Sequence, residues 1–172
     1  IEVIRGPGGT LWGSNAVNGV INIITRDSRD TQGGLVSVLS GDRESGATLR
    51  YGGSLADQGA YRVYAKLIDH RGFVDAAGAD SHDALDVRRA GFRADWPASS
   101  KDELTLLGNV YRGAAEQTVG YLQDMNSNAQ FVEDSADLSG ANLLLRWHRQ
   151  ENEDSNWTFQ AYVDRAERDD LS

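Results

Sequence analysis

The sequence contains no cysteine, which excludes a disulfide scaffold, a thiolate metal site and a cysteine nucleophile. It also lacks a run of about 18 apolar residues, so we expect no transmembrane helix. Basic residues are in the minority, and the net charge of −9 argues against nucleic-acid binding, which needs a basic face. Only two prolines accompany 19 glycines, a balance that suits strands joined by tight turns better than long helices.

Alternation of apolar and polar residues dominates after residue 33 and predicts about seven strands of roughly ten residues each. A soluble β-sandwich gives the same alternation, but its strands usually have about 5–6 residues, whereas about 9–11 cross a bilayer at a tilt. Arginine and lysine also recur in mid-strand on the polar faces, which suits a water-filled lumen. The predicted strands are Gly34–Ser40, Thr48–Leu55, Ala60–Arg71, Arg89–Trp96, Leu104–Tyr111, Ala141–His148 and Trp157–Asp164.

The predicted connections alternate in length after the first one. Outer-membrane barrels show this asymmetry, with short periplasmic turns and long external loops. Under that orientation Trp96, Trp147 and Trp157 fall at periplasmic strand ends on the apolar face, with Tyr61 near the same level, which predicts half of an interfacial aromatic girdle. The connections are Gly41–Gly46 (short), Ala56–Gly59 (short), Gly72–Ala84 (long), Pro97–Glu103 (short), Ala114–Asp137 (very long) and Gln150–Asn156 (short).

The first 26 residues predict a strand, a glycine-rich turn, a compact turn that includes a single helical turn, and a second strand. A nucleotide-binding loop does not fit, because Leu11 stands where the dinucleotide fingerprint needs its third glycine and no Gly-Lys-Ser/Thr is present. The chain starts at Ile1, inside the first strand and without a signal peptide. We therefore expect both ends to be cuts within a longer chain.

Three runs of this N-terminal segment, Ile1–Pro7, Leu11–Ala16 and Gly19–Arg26, resemble the C-terminal end of the plug domain of TonB-dependent receptors. The resemblance implies the end of a plug in 1–26, a linker in 27–32 and the first strands of a barrel of about 22 strands in 33–172. The expected fold is therefore all-β: a partial transmembrane antiparallel β-barrel, seen as an unclosed curved sheet, preceded by the end of a plug. The residues that match the plug motif are Glu2, Arg5, Gly6, Pro7, Gly13, Gly19 and Asn22.

The resemblance further implies TonB-dependent uptake of a scarce nutrient across the outer membrane of a Gram-negative bacterium. The usual ligand is a ferric siderophore, with cobalamin, haem or a sugar as alternatives. TonB acts through a segment upstream of this chain, and the barrel contacts outer-membrane lipid. Glu2 and Arg5 are candidates for contacts with charged groups on the barrel wall. A structural or adhesive barrel without transport, or a receptor that also signals, stays open, and the sequence does not name the nutrient.

No catalytic set, cofactor or metal site is expected, because His70, His82 and His148 lie far apart and no Ser/His/Asp arrangement is present. Ligand contact is expected from the outward loop 114–137, whose aromatic and amide groups suit a large polar chelate; a loop with no ligand role is an equal alternative. Cations that face the lumen have two expected partners that stay open: anionic nutrient complexes, which they would attract, or acidic plug residues, with which they would pair. The loop candidates are Tyr121, Gln123, Asn126 and Phe131, and the lumen cations are Arg50, Arg62, Lys66, Arg89 and Arg93.

Overall fold

The computed structural model describes residues 1–14, 16–56, 58–74, 78–121 and 130–170. A small sheet at the N-terminus contains β1 (Glu2–Arg5) and β2 (Gly19–Asn22), joined through the single helical turn α1 (Gly9–Trp12). A 3₁₀ turn (Arg29–Thr31) follows and leads into the main sheet. The strands of that sheet are β3 (Gly33–Ser40), β4 (Glu44–Ser54), β5 (Ala60–His70), β6 (Leu85–Pro97), β7 (Asp102–Tyr121), β8 (Gln130–Asn152) and β9 (Ser155–Asp170).

The main sheet is an antiparallel meander in which each strand pairs with the next one along the chain. The sheet is curved and unclosed: β3 lies at one edge, β9 at the other, and the two do not pair in the part of the chain that the structure describes. The predicted fold class, a partial all-β barrel of about seven strands, is confirmed. No helix among the described residues is long and apolar enough to cross a membrane.

Each predicted strand coincides with an observed one, although the predictions Thr48–Leu55 and Ala60–Arg71 run one residue too far. The very long loop predicted at 114–137 is wrong. Residues 114–121 continue β7 and residues 130–137 open β8, and they pair in unbroken register from Ala114 with Asp137 to Tyr121 with Gln130. The face that is apolar in mid-strand carries Glu116, Thr118, Glu133 and Ser135 here, and Val119 pairs with Val132 on the other face. The alternation used to find strands therefore fades although the backbone ladder continues. The connection shrinks to residues 122–129, which lie outside the described residues.

One face of the sheet is apolar and exposed, as expected for a face that meets lipid. Val36, Val110 and Val163 are 73%, 54% and 62% exposed, although each lies on this face in mid-strand. The band of apolar residues also shifts along the strand direction from β8 to β9. Trp147 of β8 pairs with Phe159, whereas Trp157, near the start of β9, pairs with Arg149. A shift of this kind accompanies strands that tilt within a barrel wall.

The opposite face is polar and carries the predicted lumen cations. Registered neighbours across it include Arg50 with Tyr64 on β4 and β5, and Arg62 with Arg93 on β5 and β6. Residues 25–32, which connect β2 to β3, lie against this face and are held there by side chains of β5 and β6. The polar face and this connecting segment, which we call the junction segment, together form the site described next.

Candidate functional site

The centre of the site is Asp95, near the end of β6, whose side chain is completely buried. Its Oδ2 accepts hydrogen bonds from the backbone N–H of Ser28 at 3.0 Å, from Ser28 Oγ at 2.7 Å and from Arg93 Nε at 2.7 Å. Its Oδ1 accepts from Arg93 Nη2 at 2.8 Å and from Thr105 Oγ1 at 2.7 Å. The buried negative charge therefore has a bidentate guanidinium partner and a filled acceptor shell, the condition under which a buried ion pair is tolerated.

Two arginines of the wall hold the backbone of the junction segment. Arg93 Nη1 donates to the carbonyl oxygen of Thr25 at 2.9 Å and to its Oγ1 at 2.7 Å. Arg62 Nη1 donates to the carbonyl oxygen of Arg26 at 3.1 Å and to Thr31 Oγ1 at 3.2 Å. The carbonyl groups of Thr25 and Arg26 are outside any sheet ladder, so these guanidinium donors supply the partners that a ladder would otherwise provide.

The 3₁₀ turn fits closely against β4 because a glycine stands opposite it. A Cβ added to Gly52 would lie 2.2 Å from the carbonyl oxygen of Thr31, so any larger residue would force the segment away from the wall. Within the turn, the backbone N–H of Thr31 and Gln32 Nε2 both donate to the carbonyl oxygen of Ser28, at 3.2 and 2.8 Å. Ser28 and Thr31 are buried as a result.

A further ion pair closes the outer side of the turn, between Arg29 and Glu103 at the start of β7. Hydrogen bonding to the Glu103 carboxylate raises the pKa of the Arg29 guanidinium. Both side chains are partly exposed, so the pair orients the turn and adds little to stability. The junction segment is thus fixed to four consecutive strands, β4 to β7.

The residues of the plug motif come together in the N-terminal hairpin. Glu2 pairs with Asn22 and Arg5 with Gly19 across the ladder, and Asn22 Nδ2 donates to Glu2 Oε2 at 2.8 Å. Gly6, just before Pro7, has a φ of +94°, in the left-handed region that glycine adopts without strain. Gly13 ends α1. Contact of Glu2 and Arg5 with the barrel wall stays a prediction.

The predicted girdle residues all lie at the end of the sheet with the short connections 55–59, 98–101 and 153–154. Trp96 and Trp147 both pair with Leu104, so the two indoles flank one leucine on neighbouring strands. Trp147 Nε1 donates to Asp102 Oδ1 at 2.9 Å. Tyr61 is the second residue of β5, and Trp157 is the third residue of β9. Their role at the membrane interface stays a prediction.

The predicted ligand residues lie at the opposite end of the sheet. Tyr121 is the last residue of β7 and Phe131 the second of β8, so both belong to strand ends and not to a loop. Gln123 and Asn126 lie outside the described residues. Tyr121 and Phe131 belong to the two strands that the connection 122–129 joins, and contact of these residues with a ligand stays a prediction.

A set of possible metal ligands lies near the same end, where the sequence analysis considered histidines alone. Asp80, His82 and Glu116 each offer a ligand atom, and these atoms lie within 4.8 Å of one another. His82 Nε2 is also 2.9 Å from Glu133 Oε1. The cluster therefore combines one histidine with three carboxylates, contributed by the connection before β6 and by β7 and β8. Pairing of β7 with β8 brings Glu116 and Glu133 close to His82. No local pattern in the sequence indicates this cluster.

The geometry defines a class of protein: a curved strand meander, apolar on one face and cation-rich on the other, with the segment after the N-terminal hairpin tied to the polar face. This is the architecture of part of an all-β barrel. The chain is similar to three kinds of curated protein, each over 74 residues. It is 38% identical to the Vitamin B12 transporter BtuB of Vibrio vulnificus, over 42% of this chain and 12% of that protein.

The other two relatives carry names that concern iron. The Iron-regulated outer membrane virulence protein of Vibrio cholerae is 43% identical, over 38% of this chain and 11% of that protein. The Ferric enterobactin receptor of Pseudomonas aeruginosa is 38% identical, over 39% of this chain and 10% of that protein. The match therefore spans only about a tenth of each relative's length. No protein-family model and no solved structure matches the chain. The resemblance to TonB-dependent receptors and the outer-membrane location are confirmed.

Proposed function

We propose that the complete receptor containing this chain takes up a scarce nutrient complex across the outer membrane in a TonB-dependent manner, with a ferric siderophore as the leading ligand. The support from relatives is that two of the three kinds carry iron in their names. They are receptors and transporters, which favours a role other than catalysis. The chain contributes the attachment of the plug to the first part of the barrel wall.

The observation that carries the proposal is the attachment of the junction segment at Asp95. A barrel without a plug would not need to bury Asp95, Ser28 and Thr31 between its inner wall and the segment that enters its first strand. The bonds from Ser28 and Arg93 to this carboxylate fix the point at which a plug would leave the lumen and become barrel. A non-transport barrel is therefore the weaker alternative.

Cobalamin is the second candidate ligand, because the chain is also 38% identical to a vitamin B12 transporter over 74 residues. Loop chemistry separates the two ligand classes, since the scaffold is shared and loops diverge fastest. We propose that the connection 122–129 takes part in that choice, together with Tyr121, Gln123, Asn126 and Phe131. The ends of β7 and β8 that flank it in sequence lie at the end of the sheet opposite the junction.

The test expresses the complete gene in an iron-starved Gram-negative host that lacks its own siderophore and cobalamin receptors. Uptake of labelled ferric siderophores and labelled cyanocobalamin is followed with and without TonB, after fractionation has shown the protein in the outer membrane. Siderophore uptake that disappears without TonB supports the proposal, and cobalamin uptake with the same dependence selects the second candidate. Absence of uptake for both, followed by absence for haem and sugars, contradicts it and favours the non-transport barrel.

A further inference from the structure

The cluster of one histidine and three carboxylates lies at the end of the sheet opposite the predicted aromatic girdle. Asp80 and His82 belong to the connection before β6, Glu116 belongs to β7 and Glu133 to β8. The two glutamates lie on the face that is apolar in mid-strand, whereas the junction segment lies against the polar face. The cluster is therefore assembled from consecutive elements of this chain, on the side of the sheet away from the junction segment.

The ligand atoms of three members converge closely enough for a single ion. One oxygen each of Asp80 and Glu116 and one ring nitrogen of His82 lie within 4.8 Å of one another. A tetrahedral zinc ion bound to such atoms at about 2.0–2.2 Å holds them about 3.4 Å apart. Both carboxylates are exposed and the imidazole is half-buried, so rotation of the side chains can close the remaining difference.

The fourth member of the cluster orients the imidazole. His82 Nε2 lies 2.9 Å from Glu133 Oε1. An ionised carboxylate accepts hydrogen bonds and donates none, so it keeps the proton of the neutral ring on Nε2 and leaves the lone pair on Nδ1. Histidines that bind a metal commonly have this arrangement, in which a carboxylate holds the ring nitrogen that does not ligate the ion.

Backbone hydrogen bonds fix the connection that carries Asp80 and His82. The backbone N–H of Ser81 donates to the carbonyl oxygen of Phe73 at 2.8 Å, within the connection itself. The backbone N–H of Glu116 donates to the carbonyl oxygen of Ala84 at 2.8 Å, which joins the end of the connection to β7. Because the backbone that carries the ligands is already held, an ion that binds there has less chain to order.

The chemistry of the three converging ligands selects the kind of ion. The carboxylates of Asp80 and Glu116 repel each other at this separation, and an ion with two positive charges between them offsets the repulsion. Calcium and magnesium take oxygen ligands, whereas zinc accepts an imidazole nitrogen together with carboxylate oxygens. One nitrogen and two oxygens therefore favour an ion of the zinc class.

We propose that Asp80, His82 and Glu116 bind a divalent transition-metal ion of the zinc class, and that Glu133 holds the imidazole in the ligating tautomer. The ion ties the connection before β6 to β7 and, through Glu133, to β8. Its role is structural, at the end of the sheet where contact with a ligand is predicted. The inference needs the pairing of β6, β7 and β8 and does not depend on which nutrient is transported.

The experiment titrates zinc chloride into the complete protein that contains this chain, purified in detergent and freed of metal by a chelator that is then removed. Isothermal titration calorimetry measures binding, and hydrogen exchange in peptides that cover residues 78–86 localises it. The test variants are His82→Gln and Glu116→Gln. The matched control is His148→Gln, which removes a histidine at the other end of the sheet, where its ring contacts Thr158.

We expect zinc to slow exchange in these peptides, and each test variant to weaken zinc binding about tenfold or more. The control should change binding less than about threefold. Glu133→Gln should also weaken binding about tenfold while exchange without zinc stays unchanged, because its carboxylate acts through the imidazole and not through the fold.

Three results would overturn the proposal. One is unchanged exchange in residues 78–86 when zinc is added to the unaltered protein. Another is equal weakening by His82→Gln and His148→Gln, which would indicate diffuse binding to surface histidines. The third is calcium that binds as tightly as zinc and is unaffected by His82→Gln, which would assign the cluster to oxygen ligands alone.

Discussion

Replacing Asp95 with asparagine should release the junction segment from the barrel wall while the sheet stays intact. Asp95 and asparagine have nearly the same shape, so the change removes charge and one acceptor oxygen without opening a cavity. The carboxylate accepts five hydrogen bonds, three at Oδ2 and two at Oδ1. An amide can keep only one of these oxygens, and its NH₂ group then faces donors.

The magnitude follows from which bonds survive. The better orientation of the amide puts its nitrogen on the Oδ1 side, where Thr105 can accept instead but the bond from Arg93 Nη2 is lost. The remaining bond from Arg93 Nε also loses its ionic character, and a nearly buried guanidinium, 14% exposed, keeps only the more distant Asp27 carboxylate, at 3.7 Å, as a counter-charge. Removing one member of a buried pair destabilises by about 3–5 kcal/mol. We take about 3 kcal/mol as the loss in the free energy that holds the segment.

Hydrogen exchange by mass spectrometry on the complete receptor measures this loss directly. The backbone N–H of Ser28 donates to Asp95, and that of Thr31 closes the 3₁₀ turn on Ser28, so both depend on the anchor. A loss of about 3 kcal/mol corresponds to exchange about a hundredfold faster in peptides that cover residues 25–32. The matched control is Asp86→Asn on the same strand, where the Arg88 contact at 3.5 Å is exposed and the effect should be within about 1 kcal/mol.

The result that would refute this argument is unchanged exchange in residues 25–32 of the Asp95→Asn receptor, with Asp86→Asn behaving in the same way. In that case the segment would be held by its covalent ends and by backbone packing, and the buried carboxylate would be incidental. Faster exchange spread over the whole sheet would also count against it, because the substitution would then act on the barrel and not on the junction.

Two further substitutions test the fit of the segment and the orientation of the sheet. Gly52→Ala places a methyl group 2.2 Å from the Thr31 carbonyl oxygen and should destabilise docking of the junction segment by about 1–3 kcal/mol. Trypsin should then cleave the junction segment faster. The control Gly34→Ala meets open space and should leave the cleavage rate unchanged, so equal rates for the two variants would contradict the close fit. Leu143→Arg on the apolar face should lower the free energy of unfolding in lipid vesicles by about 2–4 kcal/mol, measured by denaturant titration. Leu144→Arg on the opposite face should have a small effect, and similar losses for the two variants would contradict the assigned orientation.

Period-two alternation was sufficient to predict the strands, because lipid on one side and a wet lumen on the other impose it physically. The strand from Leu104 to Tyr111 shows this, since its apolar and polar sides follow from its own sequence without reference to its partner strands. The same reasoning failed at residues 114–121 and 130–137. In these extensions apolar and polar residues no longer keep to separate faces, and the strands are held by backbone pairing that composition does not reveal.

The anchor at Asp95 was beyond the reach of sequence reasoning for a different reason. Its partner Ser28 lies 67 residues away, and an aspartate on a lumen face is indistinguishable from a solvated one until the segment that covers it is placed. Two weak signals existed: Arg93 lies two positions from Asp95 on the same side of its strand, and Gly52 interrupts a strand where a close backbone approach is one common explanation. Neither indicated which segment approaches.

The anchor also decides where mechanical load would go in the proposed receptor. If the plug is drawn from its upstream end, tension runs along the chain through β2 and reaches the wall first at Thr25, where the bonds from Arg93 resist it. Strand β3 follows later in the chain and is shielded from the pull as long as those bonds and the Asp95 contacts hold. Force therefore enters the wall through β6 and β5, which carry Arg93 and Arg62, and it bypasses the strand that directly follows the junction segment.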